Sequence, residues 1–315
     1  MISTDIQMDR PDDSPVAVAD FVLGAQLHKT PVSTLHVATR SGGDASRPKV
    51  VRVLSTRLIG EADACSMVQR ETAVGALVAS PYLVSHESVP FLPRQPYSAM
   101  EFVDGLSLEV LLNRDEGRED ALKFLVRPVV DALFGLATLH GLADDRGPLG
   151  IVHQAPVPRH ILVGLDGVGR LTDFTSVVSR DHGWSRRILD RLQTHELAPE
   201  QVLAPAQIDA RCDVFIATST LWRVLTGRAL FSDADPEQSL QKLLRMPVPT
   251  LRAVGVDLGA AFERLIQRGL ASARRDRMSS AAEFASELQS AAKLAGLYPS
   301  KEEVGAFVQS ARFSR

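Results

Sequence analysis

The pattern of hydrophobic and polar residues changes near Phe102. Before it, short stretches alternate between the two classes and are separated by turns that contain Gly, Ser and Pro, which predicts β-strands. These stretches are 21–27, 34–39, 49–55 and a last one that ends at Phe102. After it, apolar residues recur at helical intervals, as in Leu122, Leu125, Val129, Leu133 and Leu136. The pattern predicts a small β-rich part followed by a large, mainly helical part.

One carboxylate lies on the apolar face of a predicted helix. Met67, Glu71, Val74 and Val78 recur at spacings of four, three and four, and therefore share a face. A carboxylate on a buried face is costly unless a cation meets it, and Arg52 on the last of the preceding strands is the natural partner. We therefore predict a buried Arg52–Glu71 ion pair. The alternative is that Glu71 lies in water at the margin of the helix.

Composition narrows the class of protein. The chain has 315 residues, 45% of them hydrophobic and 23% charged, and a net charge of -3. Because the charges are mixed along the chain, we expect no nucleic-acid partner. The two cysteines cannot make a disulfide framework, and residues 1–17 form an acidic tail without the pattern of a signal peptide. No apolar run is long enough to span a membrane, so the sequence predicts a cytoplasmic protein with no membrane partner.

Several motifs follow one another in the order found in one family. The segment "DFT" at 173–175 looks like Asp-Phe-Gly, and "LAPEQ" at 197–201 looks like the Ala-Pro-Glu that closes an activation segment. Between 209 and 285, "DARCDVF", "VLTGRALF" and "ASARRDRMSSAAEF" are similar to the later part of the same domain. The chain resembles the eukaryotic-like serine/threonine protein kinases of bacteria over residues 21–294.

The resemblance implies an architecture. It predicts an α+β, two-lobed protein-kinase-like fold, with a tail at 1–17, a β-rich N-lobe with one helix at 18–102 and a mainly helical C-lobe at 103–294. Residues 295–315 would form an amphipathic C-terminal helix. The resemblance also implies a structural ion pair between Glu200 and Arg277, and a core position for His153.

The same comparison places altered residues at the catalytic positions. In "HQAPVPRHI", Ala155 stands where the family has the proton-accepting Asp, and His160 stands where it has a metal-binding Asn. Arg52 replaces the strand lysine, while Glu71 and Asp173 match the family. Three further residues, His28, Thr30 and Ser33, align with the glycines of the phosphate-binding loop, where their side chains should obstruct the approach of a phosphate.

From these departures we predict a pseudokinase, not an enzyme. It would act as a binding, scaffold or allosteric module in signalling, with signalling proteins such as an active kinase as partners and no small-molecule substrate. No cofactor or metal is expected; if a nucleotide binds, Arg52, Glu71 and Asp173 would meet it, and Asp173 is the only retained metal candidate. Two alternatives stay open. One is a nucleotide-binding switch without catalysis, which needs nucleotide binding alone. The other is a weak or atypical serine/threonine protein kinase, which needs ATP binding that depends on magnesium.

The C-terminal helix leaves two interpretations open. Val304, Phe307, Val308 and Ala311 form an apolar stripe, and Ser300 with Glu303 forms a capping box at the start of the helix. The stripe either packs on the helix's own domain or docks a partner protein.

Overall fold

The computed structural model describes residues 17–44, 46–114, 118–177 and 193–313. These residues fall into two compact units. The first unit draws on the chain up to residue 79 and on residues 84–104 and 173–175. The second unit draws on residues 80–83, 105–172 and the chain from residue 176 onward.

The first unit contains a five-stranded antiparallel sheet whose strands follow one another in chain order. Its strands are β1 (Ala17–Val18), β2 (Phe21–Lys29), β3 (Ser33–Arg40), β4 (Lys49–Leu54) and β5 (Tyr97–Glu101). The sheet buries an apolar core around Phe21, Val51 and Tyr97. Arg52 lies in β4 opposite Leu35 of β3 and Ser98 of β5, so its backbone is held on both sides.

Among the described residues of this unit, helix α1 (Ala62–Leu77) is the one α-helix. Its buried residues include Met67, Glu71 and Val74, which confirms most of the predicted face. Val78 lies just beyond the helix, in extended conformation, and is still buried. The apolar periodicity therefore extends one residue past the helical backbone.

The second unit is mainly helical among its described residues. Its helices are α2 (Leu108–Leu112), α3 (Arg118–His140), α4 (Pro199–Leu203), α5 (Arg211–Thr226), α6 (Pro236–Arg245), α7 (Gly259–Gly269), α8 (Ala281–Leu294) and α9 (Lys301–Phe313). Its short strands are β6 (Gly105–Ser107), β7 (Ala143–Asp144), β8 (Gly147–Pro148), β9 (Ile161–Gly164) and β10 (Gly169–Leu171). Strands β9 and β10 form an antiparallel hairpin, and β6 pairs with β9.

Two polar arrangements stabilise this unit, and the first of them was predicted. The guanidinium of Arg277 donates to both carboxylate oxygens of Glu200 at 2.6 and 2.9 Å, which confirms the structural ion pair. At the start of α8, the hydroxyl of Ser280 accepts from the backbone N–H of Glu283 at 3.1 Å and caps the helix. The carboxylate of Glu283 accepts from the backbone N–H and the hydroxyl of Ser279.

The C-terminal helix α9 packs on its own unit. Val304 and Val308 are fully buried, and the ring of Phe307 stacks on that of Phe124 with centroids 4.6 Å apart. A β-carbon at Gly167, in the β9–β10 turn, would lie 1.8 Å from the carbonyl oxygen of Lys301, so only glycine permits this approach. The self-packing interpretation is confirmed, and docking of a partner through this stripe is wrong.

A membrane-spanning segment is not found among the described residues: each helix there is too short or too polar to cross a bilayer.

Candidate functional site

In the first unit, Arg52 is the centre of a buried charge cluster. Its Nε lies 3.0 Å from Oε2 and 3.2 Å from Oε1 of Glu71, and its Nη2 lies 3.2 Å from Oδ1 of Asp173. Its Nη1 donates to the hydroxyl of Ser33 at 3.3 Å. The planar fork of arginine can meet three partners in this way, whereas a lysine ammonium is a single point charge. The predicted Arg52–Glu71 pair is confirmed.

Glu71 is fully buried, so its placement at a solvated helix margin is wrong. Ser98 in β5 donates its hydroxyl proton to Oε2 of Glu71. Burial by itself would raise the pKa of Glu71, but the charge of Arg52, and then His86, outweigh burial and hold the pKa below its ordinary value. Glu71 is therefore ionised, and it holds Arg52 in place.

Asp173 joins the cluster from a distant part of the sequence. It follows β10 with a φ of +70°, a backbone conformation that a non-glycine residue rarely adopts. Phe174, the next residue, is fully buried in the same unit. Such a strained backbone persists only where its surroundings fix it, and it is found more often at functional sites than elsewhere. The structure thus brings together the three residues that the sequence assigned to a nucleotide.

The turn between β2 and β3 is closed by its own side chain. The hydroxyl of Thr30 accepts from the backbone N–H groups of Val32 at 3.2 Å and Ser33 at 3.0 Å, and the N–H of Thr30 donates to the carbonyl of Ser33 at 2.9 Å. Pro31 has no N–H to offer. In a phosphate-binding loop these amides would point toward the ligand. Hydrogen bonds within the turn therefore satisfy these two amides, and the obstruction of a phosphate stays a prediction.

The second unit holds the loop that begins at Ile151. Asp213 in α5 is fully buried and accepts from the backbone N–H groups of His153 at 2.8 Å and Gln154 at 2.7 Å. Gln154 has a φ of +68°, and its side-chain amide donates to the carbonyl of Ser176 at 2.6 Å. Hydrogen bonds to its backbone N–H groups and from the Gln154 side chain therefore fix the conformation of the loop.

The side chains of this loop differ from a catalytic set. His153 is fully buried, with one ring nitrogen 3.2 Å from the N–H of Ala155 and the other 3.1 Å from the carbonyl of Thr172, which confirms its place as a hydrogen-bonded core residue. Ala155 is also fully buried and offers no polar side-chain atom. Nδ1 of His160 donates to the carbonyl of Ala155 at 2.9 Å. The loop keeps a rigid backbone but has no carboxylate at position 155.

A magnesium ion needs oxygen ligands, so the side-chain atoms at the site can be compared with that requirement. Within the described parts of the chain, no three His, Cys, Asp or Glu side chains are arranged to hold a metal. Magnesium in phosphoryl-transfer sites is commonly held by one or two carboxylates together with substrate phosphates and water. Asp173 fits such an arrangement, while the nitrogen ligand of His160 suits a hard cation poorly.

Comparison with known proteins identifies the relatives of the chain. The tyrosine-protein kinase MasK of Myxococcus xanthus is 25% identical over 275 residues, which are 85% of this chain and 42% of MasK. The serine/threonine-protein kinase PknL of Mycobacterium tuberculosis is 27% identical over 78% of this chain and 60% of PknL. The chain is related to the bacterial protein kinases. No protein-family model matches it.

Solved structures show which fold this chain has. The kinase domain of PknI from Mycobacterium tuberculosis superimposes with a TM-score of 0.64 at 22% identity, covering 88% of this chain and 98% of that domain. The predicted two-lobed protein-kinase fold is confirmed. The chain spans about half the length of the curated relatives it matches, between 42% and 60% of the two described above.

The prediction that the chain is not an enzyme is wrong. Its relatives are named as serine/threonine and tyrosine kinases, which points to an enzyme. The prediction treated the altered catalytic positions, among them Ala155 and His160, as the loss of the reaction. A missing general base lowers a rate by a finite factor.

Proposed function

We propose that the chain is a slow, atypical protein kinase domain that transfers the terminal phosphoryl group of ATP to a hydroxyl group of a protein. The observation that supports this proposal is the buried cluster of Arg52, Glu71 and Asp173 in the first unit. A domain without catalysis would have little reason to retain a strained aspartate at the end of a charged network that is buried at some energetic cost.

The chemistry of phosphoryl transfer makes this proposal reasonable without a general base. The transition state is loose and spreads charge over the transferred oxygens, so catalysis is mostly positioning and electrostatic stabilisation. Asp173 would hold a magnesium ion together with the phosphates, and the ion would neutralise charge that develops during transfer. Arg52 supplies a fixed positive charge, and Glu71 orients it.

The same structure accounts for a low rate. Ala155 cannot accept the proton of the attacking hydroxyl, and a missing general base lowers the rate by about 10²–10⁴-fold. The turn closed by Thr30 has two of its amides satisfied internally, so it contributes less to phosphate binding than an open glycine-rich loop. We therefore expect weak ATP affinity and slow transfer.

Restoring the missing carboxylate tests the proposal. Purified protein is given radiolabelled ATP, magnesium and a mixture of protein substrates. Ala155→Asp should raise transfer by about 10²–10⁴-fold over wild type, and Asp173→Ala should abolish it. Ala155→Asn is the matched control, because it has the same size as Asp and cannot accept the proton.

Each result bears on the proposal. Because Ala155 is buried, both variants are first checked for a cooperative melting transition, and the comparison between Asp and Asn is made only with folded protein. A rate of phosphoryl transfer that rises in Ala155→Asp and not in Ala155→Asn supports the proposed kinase activity. Binding of ATP without transfer by wild type or Ala155→Asp would support a nucleotide switch and overturn the proposal.

A further inference from the structure

Helix α9 lies outside residues 21–294, over which the chain resembles the kinases, and it packs on the turn between β9 and β10. A β-carbon on Gly305 of α9 would lie 2.2 Å from the carbonyl oxygen of Leu165 and 3.3 Å from the backbone nitrogen of Gly167. Gly167 itself meets the carbonyl of Lys301, as described above. The two backbones therefore approach each other where glycines leave room, and a side chain at either position would force the two elements apart.

Helix α3 contacts both α9 and the β9–β10 hairpin. Arg127 of α3 donates to the carbonyl of Pro299, two residues before α9, and its guanidinium lies 4.6 Å from the centre of the Tyr298 ring. One turn further along α3, Asp131 accepts from the N–H of Gly169 in β10 at 2.9 Å. One turn of α3 therefore binds both the chain that leads into α9 and the hairpin on which α9 packs.

The other end of this hairpin closes on the loop that holds Ala155. The N–H of Thr172, directly after β10, donates to the carbonyl of His160, directly before β9, at 2.9 Å. The carbonyl of Thr172 lies 3.1 Å from Nε2 of His153, and Nδ1 of His160 donates to the carbonyl of Ala155 at 2.9 Å. Thr172 is also covalently joined to Asp173. The hairpin therefore connects α9, at its turn, with this loop and with the residue that precedes the candidate metal ligand.

We infer that α9 is a positioning element for phosphoryl transfer, which fixes, through the β9–β10 hairpin, the backbone of the loop around Ala155 and of the residue before Asp173. Because β9 and β10 are joined by backbone hydrogen bonds, a shift of their turn moves both strand ends, and close-packed interiors transmit such shifts. The inference rests on the proposed function for its effect on rate. Its structural part, the control of the loop by α9, can be measured without activity.

A valine at position 305 tests the effect on rate. In Gly305→Val the new side chain meets the backbone of the turn and should displace α9 from it. Ala306→Val is the matched control, because it places the same side chain at the next position, which is exposed. The kcat of Gly305→Val, expressed per folded molecule, should fall by up to about 10²-fold, the loss that a displacement of about 1 Å can cause.

The Michaelis constant for ATP separates positioning from a general loss of structure. KM for ATP should change less than kcat in Gly305→Val, because Arg52 and Glu71 lie in the first unit and are not altered. Ala306→Val should keep both constants of wild type. A folded Gly305→Val protein with the kcat of wild type, or an equal fall of kcat in both variants, would overturn the inference.

Amide hydrogen exchange tests the structural part without catalysis. In folded Gly305→Val, the N–H groups of Gly169 and Thr172 should exchange about tenfold faster than in wild type, because exchange follows local stability. The N–H groups of His153 and Gln154 in the loop should also exchange faster. Those of β3, in the first unit, should exchange as in wild type.

The distribution of faster exchange decides the inference. Faster exchange confined to the hairpin and the loop supports it even if wild type transfers no phosphate, a result that would count only against the proposed function. Unchanged exchange would overturn the inference. Exchange that is faster to the same extent in β3 would overturn it as well, because that pattern shows a loss of global stability.

A second pair of variants is used if Gly305→Val does not fold. Phe307→Ala removes the ring that stacks on Phe124 with centroids 4.6 Å apart, and it leaves the backbone of the turn untouched. Its hairpin and loop amides should exchange faster than those of wild type, whereas Phe307→Leu, which keeps a large apolar side chain, should recover most of the protection. Wild-type exchange in Phe307→Ala would overturn the inference.

Discussion

Replacing Arg52 with methionine removes the cation from a buried cluster that contains two carboxylates. Methionine roughly conserves the volume of the arginine stem, so the perturbation is mainly electrostatic. In wild type, Arg52 donates to Glu71 and Asp173, and the side chains are 7%, 0% and 7% exposed in that order. Solvent therefore screens this pair of interactions far less than it screens a surface ion pair.

The magnitude follows from burial. Removing one partner of a buried ion pair destabilises a protein by about 3–5 kcal/mol, because the remaining charge stays unpaired. Arg52→Met leaves two carboxylates without their shared cation, which favours the upper half of this range, while the Ser98 hydroxyl still donates to Glu71 and offsets part of it. We expect a loss of about 4 kcal/mol, or a decrease in melting temperature of roughly 6 °C.

The pH dependence of stability gives a sharper test, because the shift in the pKa of Glu71 is expected to reverse its sign when Arg52 is replaced. In wild type the pKa of Glu71 is lowered, so its stabilisation is present above the ordinary value of 4.5 and is lost as pH falls through the lower value. In Arg52→Met, burial is expected to dominate and to raise this pKa, so the stabilisation is present below the ordinary value and is lost as pH rises. The difference in unfolding free energy between the two proteins should therefore shrink from about pH 8 to about pH 4.

Denaturant unfolding across this pH range, monitored by circular dichroism, measures both effects. Arg252→Met is the matched control, because Arg252 pairs with Asp257 at 2.8 Å on the surface and is 79% exposed. It should melt within error of wild type. An Arg52→Met protein that melts like wild type, or a stability difference that stays constant with pH, would refute the reasoning.

Two further predictions concern the second unit. Burial raises the pKa of Asp131 to about 6, although the carboxylate accepts from the N–H of Gly169 at 2.9 Å. The contribution of Asp131 to the stability of the fold is therefore present below pH 3.8 and is lost as pH rises through about 6. Asp131→Asn should therefore gain stability relative to wild type between about pH 4 and pH 8, by on the order of 3 kcal/mol in denaturant unfolding; a constant difference would count against it. Burial also raises the pKa of the Cys212 thiol, so a thiol reagent at about pH 8 should label the partly buried Cys65 in folded protein and Cys212 only after denaturation. Labelling of both thiols at equal rates would contradict this assignment.

Local patterns were sufficient to predict part of the cluster. Period-two alternation placed Arg52 on a strand, and helical spacing placed Glu71 on a buried face, so the pairing of the two followed from the high energy of an unpaired buried charge. The same reasoning predicted the apolar stripe of α9, in which Val304 and Val308 are fully buried, but it left open what the stripe packs against. These elements are set by short-range periodicity, which a sequence displays directly.

The remaining members of the cluster could not be found in this way. Asp173 meets Arg52 from 121 residues away, and no periodicity reports a contact over that separation. His86, whose ring lies beside Glu71 and Phe174, was not singled out, because its position depends on the absence of a side chain at Gly75, on another element. A glycine beside an otherwise apolar helix face, paired with a histidine in a strand-like segment, is the signal that could have indicated it.

Two departures from the kinase pattern, the serine at position 33 and the arginine at position 52, depend on each other. A serine at position 33 looks like an obstruction where a glycine is expected, yet its hydroxyl accepts from Nη1 of Arg52 at 3.3 Å. A glycine there would leave that buried N–H without this partner, and an unsatisfied buried donor costs about 1–3 kcal/mol. A lysine at position 52 would in turn have no planar fork to reach Ser33, Glu71 and Asp173 together. The arginine and the serine thus depend on each other, and changing either back to the family residue alone should weaken the cluster that the other was suited to hold.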